Sequence, residues 1–131
     1  MGRYYDGDIS GKFWFGIQSS DDADFFGVEG VQPSYLEYEF GTDGIDDIEL
    51  GIRACYEKLG DNKERLDKFF DELKSGYNED MIRKHWVEWY GVEYDDKKIE
   101  VMLKWYARLE LGEQILKCVK ETGECNFRAE L

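Results

Sequence analysis

Hydrophobic and polar residues change their period along this chain near residue 43. Ahead of that point they alternate. In residues 35–40 (YLEYEF), Tyr35, Glu37 and Glu39 take one face and Leu36, Tyr38 and Phe40 the other, as a half-buried strand requires. The apolar run at 12–17 (KFWFGI) reads as a further strand. Between the two, SSDDADFFGVEGVQPS makes a long connection with room for a short strand near 28–31. The single proline, Pro33, stands just before the second strand, where a missing backbone donor costs little.

Beyond residue 43 the apolar positions recur at helical spacing. Thr42 or Asp43 can cap a helix with Ile45, Ile48, Ile52, Cys55, Tyr56 and Leu59 inward and Gly60 as its stop. Asn62 can cap a second, carrying Leu66, Phe69, Phe70 and Leu73 and stopped by Gly76. Asn78 can cap a third, with Met81, Ile82, His85, Trp86 and Trp89 on one face and Gly91 after it. Asp95 can cap the longest, which runs to about Thr122. Its stripe of Ile99, Met102, Leu103, Tyr106, Leu109 and Leu116 is broadened by Val101, Trp105 and Ile115, so this helix is expected at the centre of the fold. After Gly123 alternation returns, with Cys125, Phe127, Ala129 and Leu131 on one face.

Two strands alone are marginal in water, and a third helps complete a sheet. The pattern therefore predicts an α+β fold: a three-stranded antiparallel sheet, from two N-terminal strands and the C-terminal strand, packed against about four helices. No repeat, linker or low-complexity stretch divides residues 1–131, so one domain is expected.

Composition agrees with a folded chain and adds a charge asymmetry. The 131 residues are 42% hydrophobic and 16% aromatic, enough for a sizeable core despite a net charge of −13. The first fifty residues hold twelve Asp and Glu against two basic residues, Arg3 and Lys12. One-signed charge segregated in this way makes a field that repels nucleic acid and anionic membrane and attracts basic partners or cations. The aromatic excess fits either a contact surface or a bulky core with few aliphatics.

Cysteine usage points to a reduced, cytoplasmic setting: Cys55, Cys118 and Cys125 are an odd count with no Cys-x-x-Cys pair. Neither a signal peptide nor a membrane-length apolar run is expected. A zinc site would need all three cysteines and the one histidine, His85, at spacings that lack any knuckle. His85 itself is expected on an apolar helix face as a packed residue. No G-x-G-x-x-G or Walker-type run is present, and with 30 acids available no chosen carboxylate pair is meaningful as a glycosidase dyad.

The most motif-like stretch is DGDISG at 6–11. Asp6, Asp8 and Ser10 at alternate positions, with Gly11 sixth, match the first half of a twelve-residue calcium loop. The second half does not match, since Ile17 stands where a bidentate carboxylate is required. The plain alternative is an Asp- and Gly-rich turn.

Asp21, Asp22 and Asp24, followed by Phe25 and Phe26, form the densest acidic patch. It suits a basic protein surface, because hot spots combine apolar anchors with charge that steers approach. It equally suits a helix start at which Ser20 caps, the aspartates face the dipole and both phenylalanines enter the core. Asp43, Asp46 and Asp47 at the first long helix, with Glu37 and Glu39 on one strand face, would extend the same surface. Rows of carboxylates imitate a nucleic-acid backbone.

Two functional expectations follow. The first is a non-enzymatic acidic protein that engages a basic surface of a partner, in its specific form a nucleic-acid-binding protein inhibited by mimicry, with no direct nucleic-acid or membrane binding. In charge and size alone this is similar to small acidic phage anti-defence proteins, anti-CRISPR proteins among them. The second is a cation-dependent module, calcium-type and built on Asp6, Asp8 and Ser10 with the patch of Asp21, Asp22 and Asp24, or a small-ligand module.

Overall fold

The structure, a computed structural model, describes residues 3–14, 16–30, 35–73 and 76–130. Four strands, β1 (Tyr4–Gly7), β2 (Gly11–Lys12), β3 (Tyr35–Gly41) and β4 (Glu124–Glu130), form one antiparallel sheet in the order β2-β1-β4-β3. Of four helices, α1 (Ile45–Leu59), α2 (Asn62–Glu72), α3 (Glu79–Tyr90) and α4 (Asp96–Thr122), α4 lies against the sheet and the other three pack against α4. Short 3-10 turns span Asp22–Phe26 and Thr42–Gly44. Among the described residues no helix is long and apolar enough to cross a membrane.

Alternation explains β3 and β4. Leu36, Tyr38 and Phe40 on β3 and Cys125, Phe127 and Ala129 on β4 are buried toward the helices, and the residues between them are exposed or only partly buried. The rings of Tyr38, Phe40 and Phe127 stack with centroids 5.2–6.1 Å apart, so the centre of the inner face is aromatic. One core cluster joins this face to all four helices.

α4 buries residues around most of its circumference, including Ile99, Leu103, Leu109, Leu111, Ile115 and Val119, which is why it is the central helix. Its start is fixed by the Asp95 carboxylate accepting from Lys98 N at 2.8 Å, and its end by Gly123 in the left-handed region at φ 89°. Asn78 caps α3 in the same way by accepting from Met81 N at 2.9 Å, and Gly91 ends that helix at φ 65°.

The sheet departs from expectation in three respects. It has four strands among the described residues, because Tyr4–Gly7 pairs with the C-terminal strand; the sequence pattern leaves Tyr4 and Tyr5 unassigned and reads Asp6 and Gly7 as the start of a loop or turn. The apolar run at 12–17 is a strand only at Gly11–Lys12. Ile17 N and Gln18 N both donate to Trp14 O, which turns the chain, so Phe13 and Ile17 fill the gap between sheet and helices. The two strands expected in the N-terminal part, at 12–17 and 35–40, would form a hairpin with the C-terminal strand beside it; instead β4 lies between β3 and the β1–β2 pair. No strand forms at 28–30; Phe15, Val31, Pro33 and Leu131 lie outside the described residues.

Helix starts also shift. Neither Thr42 nor Asp43 caps α1, which begins after a 3-10 turn with no side-chain cap. Asn62 is the first residue of α2 and not its cap; its Oδ1 accepts from the buried Trp86 indole at 3.0 Å. α2 stops at Glu72, ahead of Gly76. Met81, Trp89, Tyr56 and Val101, expected inward, are exposed.

Candidate binding surface

The 3-10 turn at Asp22–Phe26 sorts its acidic residues by direction. Asp22 is buried: its Oδ1 accepts from Arg108 Nε at 2.8 Å and its Oδ2 from Gln18 Nε2 at 2.7 Å. Arg108, from α4, lies over the rings of Phe25 and Trp105 at 4.6 and 4.7 Å. A buried carboxylate requires such a partner, and the guanidinium supplies it with its planar face between aromatics. Asp22 therefore holds the turn to α4 and is not on the surface.

Asp24 accepts from the Tyr38 hydroxyl and from Gly30 N at 3.0 Å, fastening the turn to the inner face of the sheet. Burial, then the bond to Asp24 and its charge, push the Tyr38 hydroxyl well above the ordinary tyrosine range. Asp21 is exposed and accepts from the Ser19 hydroxyl at 2.5 Å. Ser20 caps nothing; it is buried and accepts from the Arg3 guanidinium at 2.6 Å. Of the two phenylalanines, Phe26 is buried and Phe25 is 39% exposed. The turn is thus a structural clamp in which Asp22 and Phe26 face inward, while Asp21, Asp24 and part of Phe25 remain exposed.

The other expected acids remain on the outside. Glu37 and Glu39 are exposed on β3, and Asp43, Asp46 and Asp47 are exposed around the start of α1, so one stretch of chain carries five outward carboxylates. Asp47 stands against Gly27, where a Cβ would lie 2.7 Å from the Asp47 Cβ; this brings the α1 start beside the 3-10 turn.

Register extends the acidic surface across the sheet. Asp6 of β1 is opposite Arg128 of β4, which is opposite Glu37 of β3, and all three are exposed on the face away from the helices. Glu130 shares that face, its Oε2 accepting from Tyr4 N at 3.2 Å, and Glu39 lies opposite Asn126. Arg128 Nε is 3.9 Å from Glu37 Oε1 with both side chains more than 60% exposed, a pairing of little energetic weight. Arg128 and Glu130 were not legible as site residues, and Asp6 reads in the sequence as a calcium ligand and not as part of this surface, because only the pairing of distant strands sets them beside Glu37.

The calcium-like stretch is a hairpin. Asp6 lies in β1 and Ser10 is exposed in the turn. The Asp8 carboxylate accepts from Asn126 N at 2.9 Å, and Asp8 N donates to Asn126 O at 2.8 Å. Among the described residues no three His, Cys, Asp or Glu side chains are grouped to hold a metal ion.

Away from the acids, an open groove of about 610 Å³ is lined by Trp14, Phe70 and Tyr77, with Lys12 and Glu79 at its border. Its rings already touch edge to face, with Phe70 and Tyr77 centroids 5.1 Å apart, so the groove wall is part of the packing. His85 is half-buried and stacks on the exposed Trp89 at 5.4 Å. Cys55 is buried among apolar neighbours, which pushes its thiol up to about 12, so it is protonated and unreactive near neutrality.

Comparison with protein-family models, with curated proteins and with solved structures finds no match to this chain.

Proposed function

We propose that this is a non-enzymatic acidic binding protein that engages a basic surface of a partner protein, acting as an inhibitor by occupying a nucleic-acid-binding surface. The observation that carries it is the run of exposed carboxylates from Glu37 through Asp47, continued across the outer sheet face by Asp6 and Glu130. Among the described residues of the sheet, the basic side chains on that outer face are Arg128 and Lys12, fewer than the carboxylates beside them. Acids held on a rigid sheet and a helix start present fixed charge, which raises association rates with basic surfaces.

The test is binding to a panel of basic nucleic-acid-binding domains, with salt and duplex DNA as competitors. Affinity is expected to fall at least about tenfold between low salt and ~0.5 M NaCl, because exposed charges are screened beyond the Debye length. Duplex DNA is expected to displace the protein. Binding that ignores salt, or that tolerates saturating DNA in a ternary complex, would overturn the reading.

A further inference from the structure

β3 is an outer strand of the sheet. It pairs with β4 through all seven residues without a bulge, and among the described residues no strand lies on its other side. The direction of its free backbone groups follows from the neighbouring ladders. Asp8 N donates to Asn126 O across the β1–β4 pairing, so residues 126, 128 and 130 turn their backbone groups toward β1. Phe13 N donating to Arg3 O gives the same phase from the far side of β1. Residues 125, 127 and 129 then face β3, and they are opposite Phe40, Tyr38 and Leu36. The backbone N–H and C=O groups of Glu37 and Glu39 are therefore the ones on the open edge, while their carboxylates stand on the outer face.

Exposed edges are ordinarily blunted by shortness, proline, lysine or a bulge. The opposite edge of this sheet is only the two-residue β2. β3 is seven residues long and regular, and what guards its edge is the negative charge of Glu37 and Glu39. Like charges directly opposite each other destabilise a strand pair, so a second copy of β3 is a poor neighbour for this edge. A strand with Lys or Arg at every second position is a good one: each basic residue opposite a glutamate completes two backbone hydrogen bonds and an ion pair. The intervening side chains would turn toward the layer of Leu36, Tyr38 and Phe40, which suits apolar residues.

We propose that the β3 edge is a docking site for an extended basic segment of the partner, which adds a fifth, antiparallel strand in the manner of β-augmentation. This rests on the reading of the partner as basic and specifies the shape of the part that binds.

The experiment uses short peptides of alternating lysine and valine with the intact protein. Amide signals of Glu37 and Glu39 are expected to shift and gain exchange protection on titration. N-methylation of the lysine amides, which face β3 in an antiparallel pairing, should weaken binding at least about tenfold, and N-methylation of the valine amides should leave it unchanged. In the variant carrying E37K and E39K, both at exposed positions, preference should switch to a glutamate–valine peptide, with a thermal melt confirming that the variant folds. Equal binding of both methylated peptides would overturn edge pairing and leave the basic-partner reading intact. Absence of any peptide effect at β3 would also overturn it, and the domain panel would still decide the broader reading separately.

Discussion

Asp21 and Asp22 are adjacent in the chain, and the fold gives them opposite surroundings. Replacing Asp22 by Asn leaves the half-buried Arg108 without its counter-charge and is expected to cost roughly 2–3 kcal/mol in urea unfolding. Asp21→Asn should stay within about 0.5 kcal/mol. Equal losses would contradict the inward placement. Tyr38 adds a pH dependence. Its folded pKa is raised, so its contribution is complete below the unfolded tyrosine value of about 10 and is lost as pH rises through and beyond it. Melts followed by circular dichroism should show stability falling above about pH 10, and Tyr38→Phe should flatten that slope while costing about 1 kcal/mol at neutrality. An unchanged slope would rule out this assignment. The acidic run around residue 22 was legible as acidic, but its direction was not. Asp22 faces inward because of Arg108, 86 residues away, and local composition has no access to that separation.

At the level of elements, legibility followed local cause. α3 and α4 were readable from cap to stop because Asn78, Asp95, Gly91 and Gly123 act on their own neighbours. β3 and β4 were readable from strict alternation. The strand expected at 12–17 failed because its apolar residues run consecutively and serve a turn. β1 was missed because its four residues, YYDG, carry almost no pattern. Element packing also explains a glycine inside the longest helix. A Cβ on Gly112 would sit 2.4 Å from Phe26 Cε1, so this site trades helix propensity for close approach of the 3-10 turn. Gly112→Ala is expected to destabilise by about 1–2 kcal/mol even though alanine is the better helix former. In a double mutant with Phe26→Leu, the two losses should be less than additive by about 1 kcal/mol. Strict additivity in denaturant melts would show that the contact does not matter.

For the whole molecule, the net charge of −13 sits on a body whose outer sheet face and α1 start share one sign. Self-repulsion of that kind opposes compaction and is screened by salt. The melting temperature should rise by several degrees between low salt and about 1 M NaCl, where the Debye length is about 3 Å. A fall would mean that favourable ion pairs outweigh the repulsion. The α+β class, with helices against an antiparallel sheet, followed from the change of period near residue 43. The fourth strand and the strand order did not, since pairing across more than a hundred residues is set by the assembled core and not by any local signal.

The placement of β4 between β1 and β3 has a temporal consequence. A chain leaving the ribosome would carry all four helices while the sheet still lacks the strand that joins its two parts. Until residues 124–130 emerge, the β1–β2 hairpin and β3 have no strand between them to join them into one sheet, and the aromatic inner faces of β1 and β3 lack Phe127 between them. Nascent chains stalled just short of that point should therefore be protease-sensitive in the first forty residues and acquire resistance in a single late step.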